Sequence, residues 1–190
     1  MIQDTPAPTG RRDRILTAAL DVVAEEGAIR VTYRRIAAAA GVPLGSVTYY
    51  FDDLNQLLTE AFTRLAETVS AHYRAQLEAA RTPEEARDAV VDIMSGTLWT
   101  SERDPLLTFE LYAFAARTPE LRTVLNSWMR ASRDALARHF DPLTARALDA
   151  LVEGFTLHNF FDHTPLGRDD IASVVQALLE RDRGISDGKK

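Results

Sequence analysis

Leu44, Gly45, Ser46, Thr48, Tyr49 and Tyr50 form a short run that carries hydroxyls, aromatic rings and small side chains but no charge. A helix that presents such a run fits a major groove, where hydroxyls reach phosphates and base edges and apolar atoms meet thymine methyls. Cationic residues stand upstream of it. Arg34 lies near the expected start of a helix, where free N–H groups also attract anions, and Thr32 and Tyr33 stand beside it. Arg11 and Arg12 can reach the backbone or a minor groove from a terminal arm. Other chemistries are poorly served. His158, Asp162 and His163 are spaced i, i+4, i+5 with no further ligand nearby in sequence, so no metal is expected there. Serines, histidines and aspartates exist, but no nucleophile sits on a strand-to-helix elbow, and no catalytic residue is assigned. Glycine-rich phosphate loops are absent. Cysteine is absent too, which excludes thiol catalysis and disulfides and fits a reducing cytoplasm.

These residues need elements that hold them outward. Apolar residues recur at helical spacing nearly throughout, and alternating strand patterns do not recur. The expectation is an all-α chain of about nine helices. The first spans Arg11 to Glu26 with a stripe of Ile15, Ala18, Ala19, Val22 and Val23, and ends at Gly27 in a left-handed turn. Thr32 caps a second helix, Tyr33 to Ala40. Gly41 breaks the pattern, and Pro43 opens a third helix, to about Tyr50, as a first-turn proline would. Two helices joined by the tight turn Ala39–Pro43 make a helix-turn-helix unit. Ile36, Val42, Val47 and Phe51 point to its core, and Tyr49 is expected to bury its ring with the hydroxyl outward. A long fourth helix runs from about Leu54 to Ala80. Helices then begin near Pro83, Asp104, Pro119, Pro142 and Arg168, and end near Thr100, Ala116, His139, Asp162 and Glu180.

The run TYRRIAAAAGVPLGSVTYYF, residues 32–51, resembles the N-terminal signature of the TetR family of bacterial repressors. Thr32, Ile36-Ala37, Ala40-Gly41-Val42, Gly45-Ser46, Phe51 and Leu57 carry the resemblance, with Ile15, Ala18 and Gly27 at the family's spacing in the first helix. Residues 128–130, 144–158 and 165–166 further resemble the branch of that family that holds an enterobacterial biofilm regulator. Two positions depart from the pattern. The lysine usual three residues beyond the Phe, a phosphate contact, is Leu54 here, behind Asp52 and Asp53. The tyrosine usual on the third helix is Thr48.

The resemblance implies a DNA-binding helix-turn-helix domain over residues 1–53 and a ligand-binding and dimerisation domain over 54–190, with 1–9 and 182–190 as a flexible arm and tail. It implies a homodimer on a palindromic operator of double-stranded DNA, released by an unidentified small-molecule effector, with no cofactor. An effector cavity is expected among Met94, Leu98, Trp99, Phe109, Tyr112, Trp128, Phe155, His158 and Asp162. The expected dimer interface is Leu148, Leu151, Val152, Phe155, Ile171, Val174, Val175 and Leu178, on the last two helices.

Charge shapes the alternatives. The chain carries −6 overall, which argues against a protein that coats nucleic acid indiscriminately. Residues 1–51 hold six arginines and five carboxylates; the remaining 16 basic and 23 acidic residues give −7, so the first quarter is only relieved of the acidity of the rest. Residues 46% hydrophobic and 26% charged exclude global disorder. No apolar run approaches the roughly 20 residues that a bilayer span needs. A cytoplasmic regulator that is not an enzyme follows from these readings. The alternatives are an α-helical enzyme or small-molecule carrier keeping the motif as a structural relic, and an adaptor that docks the third helix on another protein.

Overall fold

The computed structural model describes residues 10–97 and 103–187, with side chains for 10–96 and 103–180. The expected arm at 1–9 and the cavity candidates Leu98 and Trp99 lie outside the described residues. Helices α1 (Arg11–Glu26), α2 (Tyr33–Ala40), α3 (Leu44–Tyr50), α4 (Leu54–Ala79), α5 (Pro83–Asp92), α6 (Arg103–Ala115), α7 (Pro119–Leu136), α8 (Pro142–Phe161) and α9 (Arg168–Asp187) follow in order, with a single 3₁₀ turn at Ala28–Arg30. No strand occurs among the described residues.

The chain forms two compact units. One takes Met1–Glu67 and Leu106–Leu125; the other takes Thr68–Pro105 and Asn126–Lys190. The division therefore falls inside α4 and not at its start, and α6 joins the helix-turn-helix rather than the remaining helices.

In the first unit the α1 stripe of Ile15, Ala18, Ala19, Val22 and Val23 is buried, together with Ile36 and Ala37 of α2 and Val47 of α3. Phe51, Leu57, Leu58, Ala61 and Phe62 complete this interior from the chain after α3 and from α4. The rings of Phe62 and Phe114 stand 6.5 Å apart, which brings α6 against α4. Emptying the Phe62 site would cost about 3–5 kcal/mol, as removal of a buried aromatic generally does.

In the second unit Tyr73, Leu77, Val90, Val91, Ile93 and Met94 pack with Ala135, Leu136, Leu148, Val152, Ile171 and Val175. Local chemistry sets the helix starts. Thr82 and Asp141 cap α5 and α8, accepting from the N–H groups of Glu85 at 3.1 Å and of Leu143 at 2.9 Å, with Pro83 and Pro142 in the first turns.

Three boundaries differ from the sequence reading. The helix begun at Pro83 leaves regular α geometry after Asp92, because Gly96 adopts φ 97° and Ile93–Thr97 winds wider. The helix begun at Pro119 stops at Leu136, where the N–H groups of His139 and Phe140 both bond the Leu136 carbonyl at 3.0 Å and close the turn. The last helix continues through 182–187, part of the expected tail.

Candidate nucleic-acid interface

The helix-turn-helix is built by backbone bonding that its residue types require. The Thr32 hydroxyl accepts from the Arg35 N–H at 3.3 Å and starts α2. At the other end Gly41 takes φ 62° and ψ 39°, the left-handed conformation that glycine adopts without cost. The Val42 N–H then reaches back to the Ala37 carbonyl at 3.0 Å and that of Gly41 to Ala38 at 3.2 Å, which turns the chain sharply. Pro43 stands just before α3 as its N-cap and not within its first turn, and its carbonyl accepts from the Ser46 N–H at 2.8 Å.

Helix α3 is anchored by one side chain. Val47 is fully buried, and Phe51 closes the end of the helix against the core. The rest of its surface faces outward. Tyr49 is 81% exposed and Leu44 45% exposed. The expectation that Tyr49 buries its ring is thus wrong: with Val47 turned inward, a residue two positions on stands on the opposite side of so short a helix. The Tyr50 ring, half-buried, meets Tyr49 edge-on at 5.1 Å. Thr48 is exposed while its hydroxyl donates to the Gly45 carbonyl at 3.3 Å. A Cβ added at Gly45 would meet nothing within 4 Å. The fold itself therefore does not require glycine there, although glycine inside a helix costs about 0.5–1 kcal/mol. Ser46 is half-buried on the same helix.

The cations divide into free and engaged. Arg11 and Arg34 are exposed, and neither has an ion-pair partner among the described residues. Arg11 and Arg12 begin α1 and do not lie in a terminal arm. Arg12 pairs with Glu60 and lies 5.2 Å above the centre of the Phe51 ring, so it ties α1 to α4 instead of standing free for phosphate. Arg35 is similarly held by Glu26. The Tyr33 hydroxyl is buried without a hydrogen-bond partner, and its proton is held more tightly than usual by burial and by the nearby carboxylates of Asp53 and Asp52. Those two acids have a local purpose. Asp53 accepts from the Gln56 N–H at 2.8 Å, and Gln56 accepts from the Asp52 N–H at 2.8 Å, which caps α4 where the family pattern places a lysine.

Glu110 is a participant that sequence reasoning missed. Its carboxylate accepts from the Ala28 N–H at the turn after α1. Gly27, before that turn, takes φ 81° with ψ 151°, a glycine conformation but not the left-handed helical one expected. No local signal links two residues so distant in sequence.

The expected cavity residues fall in both units. Phe109 and Tyr112 belong to the first unit, and Met94, Trp128, Phe155, His158 and Asp162 to the second. Met94 is core, Phe155 packs against the same apolar cluster, and Trp128 is buried. His158 and Asp162 are exposed: they finish α8, where the Asp162 N–H bonds the His158 carbonyl at 2.7 Å and the Asp162 carboxylate takes the Thr164 N–H at 3.0 Å. Both therefore take part in the turn that ends α8. A cavity of about 180 Å³ in the second unit, bounded in part by Pro83, Arg87, His139, Phe140 and Leu179, contains none of the expected residues. Among the described residues no group of three or more His, Asp or Glu could hold a metal, and no helix is long and apolar enough to cross a membrane.

The expected dimer residues are mostly interior. Leu148, Val152, Ile171 and Val175 are buried within their own unit, and Leu151, Phe155 and Leu178 pack against that core; only Val174 is exposed. Leu148, Val152 and Phe155 make the inner stripe of α8. Its outer stripe runs Leu143, Ala147, Ala150, Gly154, Leu157, Phe161 at alternating spacings of four and three, with Leu143, Leu157 and Phe161 exposed.

Comparison with known proteins places both halves. Residues 15–61 match the family model for bacterial regulatory proteins of the tetR family, and residues 83–181 that for the tetracyclin repressor-like C-terminal domain. SCO7518 of Streptomyces coelicolor A3(2), described as a transcriptional regulator, shares 49% identity with a TM-score of 0.81 over 88% of this chain and 97% of its own. The multidrug binding protein EbrR, solved with ethidium, shares 33% identity with a TM-score of 0.74 over 89% and 98%. The HTH-type transcriptional regulator BetI of Rhizobium meliloti is 29% identical over 94% of this chain and 93% of its length.

Proposed function

Because the chain belongs to the tetR family of bacterial regulatory proteins and is a DNA-binding transcriptional regulator, we propose that it acts as a repressor, as a homodimer on a palindromic operator, and is released by a small-molecule effector. The observation that carries this reading is α3 itself. Val47 and Phe51 fix it to the core, and Leu44, Gly45, Thr48 and Tyr49 are left on the surface. Ser46, Thr48 and Tyr49 read base edges; Arg11, Arg34 and Tyr50 hold phosphates. The chain works by binding and not by turnover, in the cytoplasm.

One such unit buries too little surface for selective binding, and a two-fold pair supplies two helices a helical turn apart. The outer stripe of α8 supports the pairing: its exposed leucines and Phe161, with small residues between, allow two helices to approach closely, and the exposed Val174 of α9 adds to it. Binding of a small-molecule ligand is supported by the EbrR complex with ethidium. The effector works only if it binds the DNA-incompetent state more tightly, and a coupling of about 1–3 kcal/mol changes operator affinity 5–150-fold.

Footprinting of the purified protein on DNA upstream of its own gene tests this function. The expected result is two protected half-sites in inverted repeat, centred about one helical turn or a multiple apart. Protection of a single half-site, or none, would overturn it.

A further inference from the structure

Helix α3 has seven residues and turns only Val47 fully into the core, so its direction depends on what holds its two ends. The tight turn at Gly41 holds the first. At the second, Phe51 belongs to a closed circuit of contacts. The Asp52 N–H donates to Gln56 Oε1 at 2.8 Å, and Gln56 Nε2 donates to Glu60 Oε1 at 3.2 Å. Glu60 Oε2 accepts from Arg12 Nη2, and the Arg12 guanidinium lies 5.2 Å above the centre of the Phe51 ring. The circuit thus leaves the end of α3, passes through α4 and the start of α1, and returns to Phe51. Beside it Arg64 Nη1 donates to Asp13 Oδ1 at 3.3 Å, an ion pair of reversed polarity between the same two helices. A slide of α1 along α4 by one turn would therefore bring like charges together.

Exposed ion pairs of this kind add little to global stability. Their geometric effect is larger, because groups that recognise a partner must be held to within about 0.5 Å and 10–20° by a supporting layer of hydrogen bonds. Glu60 spends one oxygen on Arg12 and the other on Gln56, which makes it the hub of the circuit.

We propose that Gln56 and Glu60 are positioning residues for DNA recognition: they fix the direction in which α3 presents Ser46, Thr48 and Tyr49, and touch no DNA themselves. The proposal rests on the reading of α3 as the recognition helix. For Glu60, charge and position make opposite predictions. A carboxylate that merely stands near DNA repels phosphates, so its removal strengthens binding to every duplex. A carboxylate that aims α3 supports selective contacts, so its removal weakens binding to the native sequence alone.

Anisotropy titrations of the full-length protein with a labelled duplex from upstream of the gene, and with a scrambled duplex, test it at one salt concentration. Gln56→Ala alters no charge and should weaken binding to the native duplex roughly tenfold, with the scrambled duplex bound within about twofold of the parent. Glu60→Gln keeps both hydrogen bonds at the start of α4, so its folding is not at issue; it should weaken native binding at least about fivefold while scrambled binding holds or rises. The double variant should be no worse than the worse single one, since both residues serve one circuit. Native binding by Gln56→Ala within twofold of the parent, Glu60→Gln binding both duplexes more tightly, equal losses on both duplexes, or losses that multiply in the double variant would overturn the proposal. A parent that does not discriminate the duplexes refutes the reading of α3; a discriminating parent with unaffected variants refutes the positioning alone.

Discussion

Glu110 and Ala28, 82 residues apart, share a hydrogen bond of 3.0 Å from the Ala28 N–H to Oε2. The other oxygen of the same carboxylate would lie 3.3 Å from a Cβ placed on Gly27, whose φ is 81°. Helix α6 therefore grips the end of α1 where the chain has no side chain in the way. The carboxylate does so at the negative end of the α1 dipole, so the contact is opposed electrostatically.

Glu110→Ala leaves the Ala28 donor unpaired in a half-buried site and should lower the unfolding free energy by about 1.5 kcal/mol. Glu110→Gln keeps an acceptor and sheds the adverse charge, so it should lose far less. Urea denaturation of the two variants measures the difference, and equal losses would show that the hydrogen bond is not what the residue provides.

Gly45→Ala should separate stability from function. No atom obstructs the new methyl, so α3 gains about 0.5–1 kcal/mol of helix stability. Operator affinity should drop at least tenfold if, as proposed, this face of α3 enters the DNA groove. An alanine variant that is both more stable and fully active would mean that this face of α3 does not touch DNA.

Much of the first unit is legible locally. Thr32, Gly41 and the spacing of Ile15, Ala18, Val22 and Val23 each act within a few residues, and the α1, α2 and α3 bounds follow from them. What was illegible depends on partners far away. The engagement of Arg12 by Glu60, of Arg35 by Glu26 and of Glu110 by Ala28 is set by packing, and nothing in a local window distinguishes these side chains from solvated ones. Helix α8 misled for a different reason. It is apolar on two sides, and the larger residues Leu148, Val152 and Phe155 masked a second stripe built partly from Ala147, Ala150 and Gly154. The break at Gly96 is not legible, because a glycine tolerated in a helix looks, in sequence, like one that ends it.

Leu157→Glu should dissociate the dimer without unfolding the subunit. Leu157 is exposed in the C-terminal half of the outer stripe, so the charge costs the isolated chain little, but two copies brought together by a two-fold axis would bury like charges. Sedimentation equilibrium should show a dimer for the parent and a monomer for the variant. A variant that remains dimeric would move the interface off this stripe.

Asp149 predicts a pH dependence of stability. Burial raises its pKa above the ordinary 3.8, and the hydrogen bond and charge of Arg133 offset this only in part. The folded state thus holds the proton at pH values where the unfolded chain has released it. Unfolding free energy should therefore fall as pH rises from about 3.8 through the folded pKa, and level off above it. The Asp149→Asn variant should lack this contribution, seen as a flatter profile than the parent in urea denaturation across that interval. Parallel profiles would show that the carboxylate titrates as an exposed one.

Fluorescence anisotropy of a labelled duplex from upstream of the gene, titrated with the full-length protein at several salt concentrations beside a scrambled duplex, puts the exposed α3 face to its most direct test. A recognition helix with phosphate-binding arginines at its flanks predicts affinity that falls steeply with salt and at least a thousandfold preference for the native sequence. Equal affinity for the two duplexes, or binding indifferent to salt, would contradict the account.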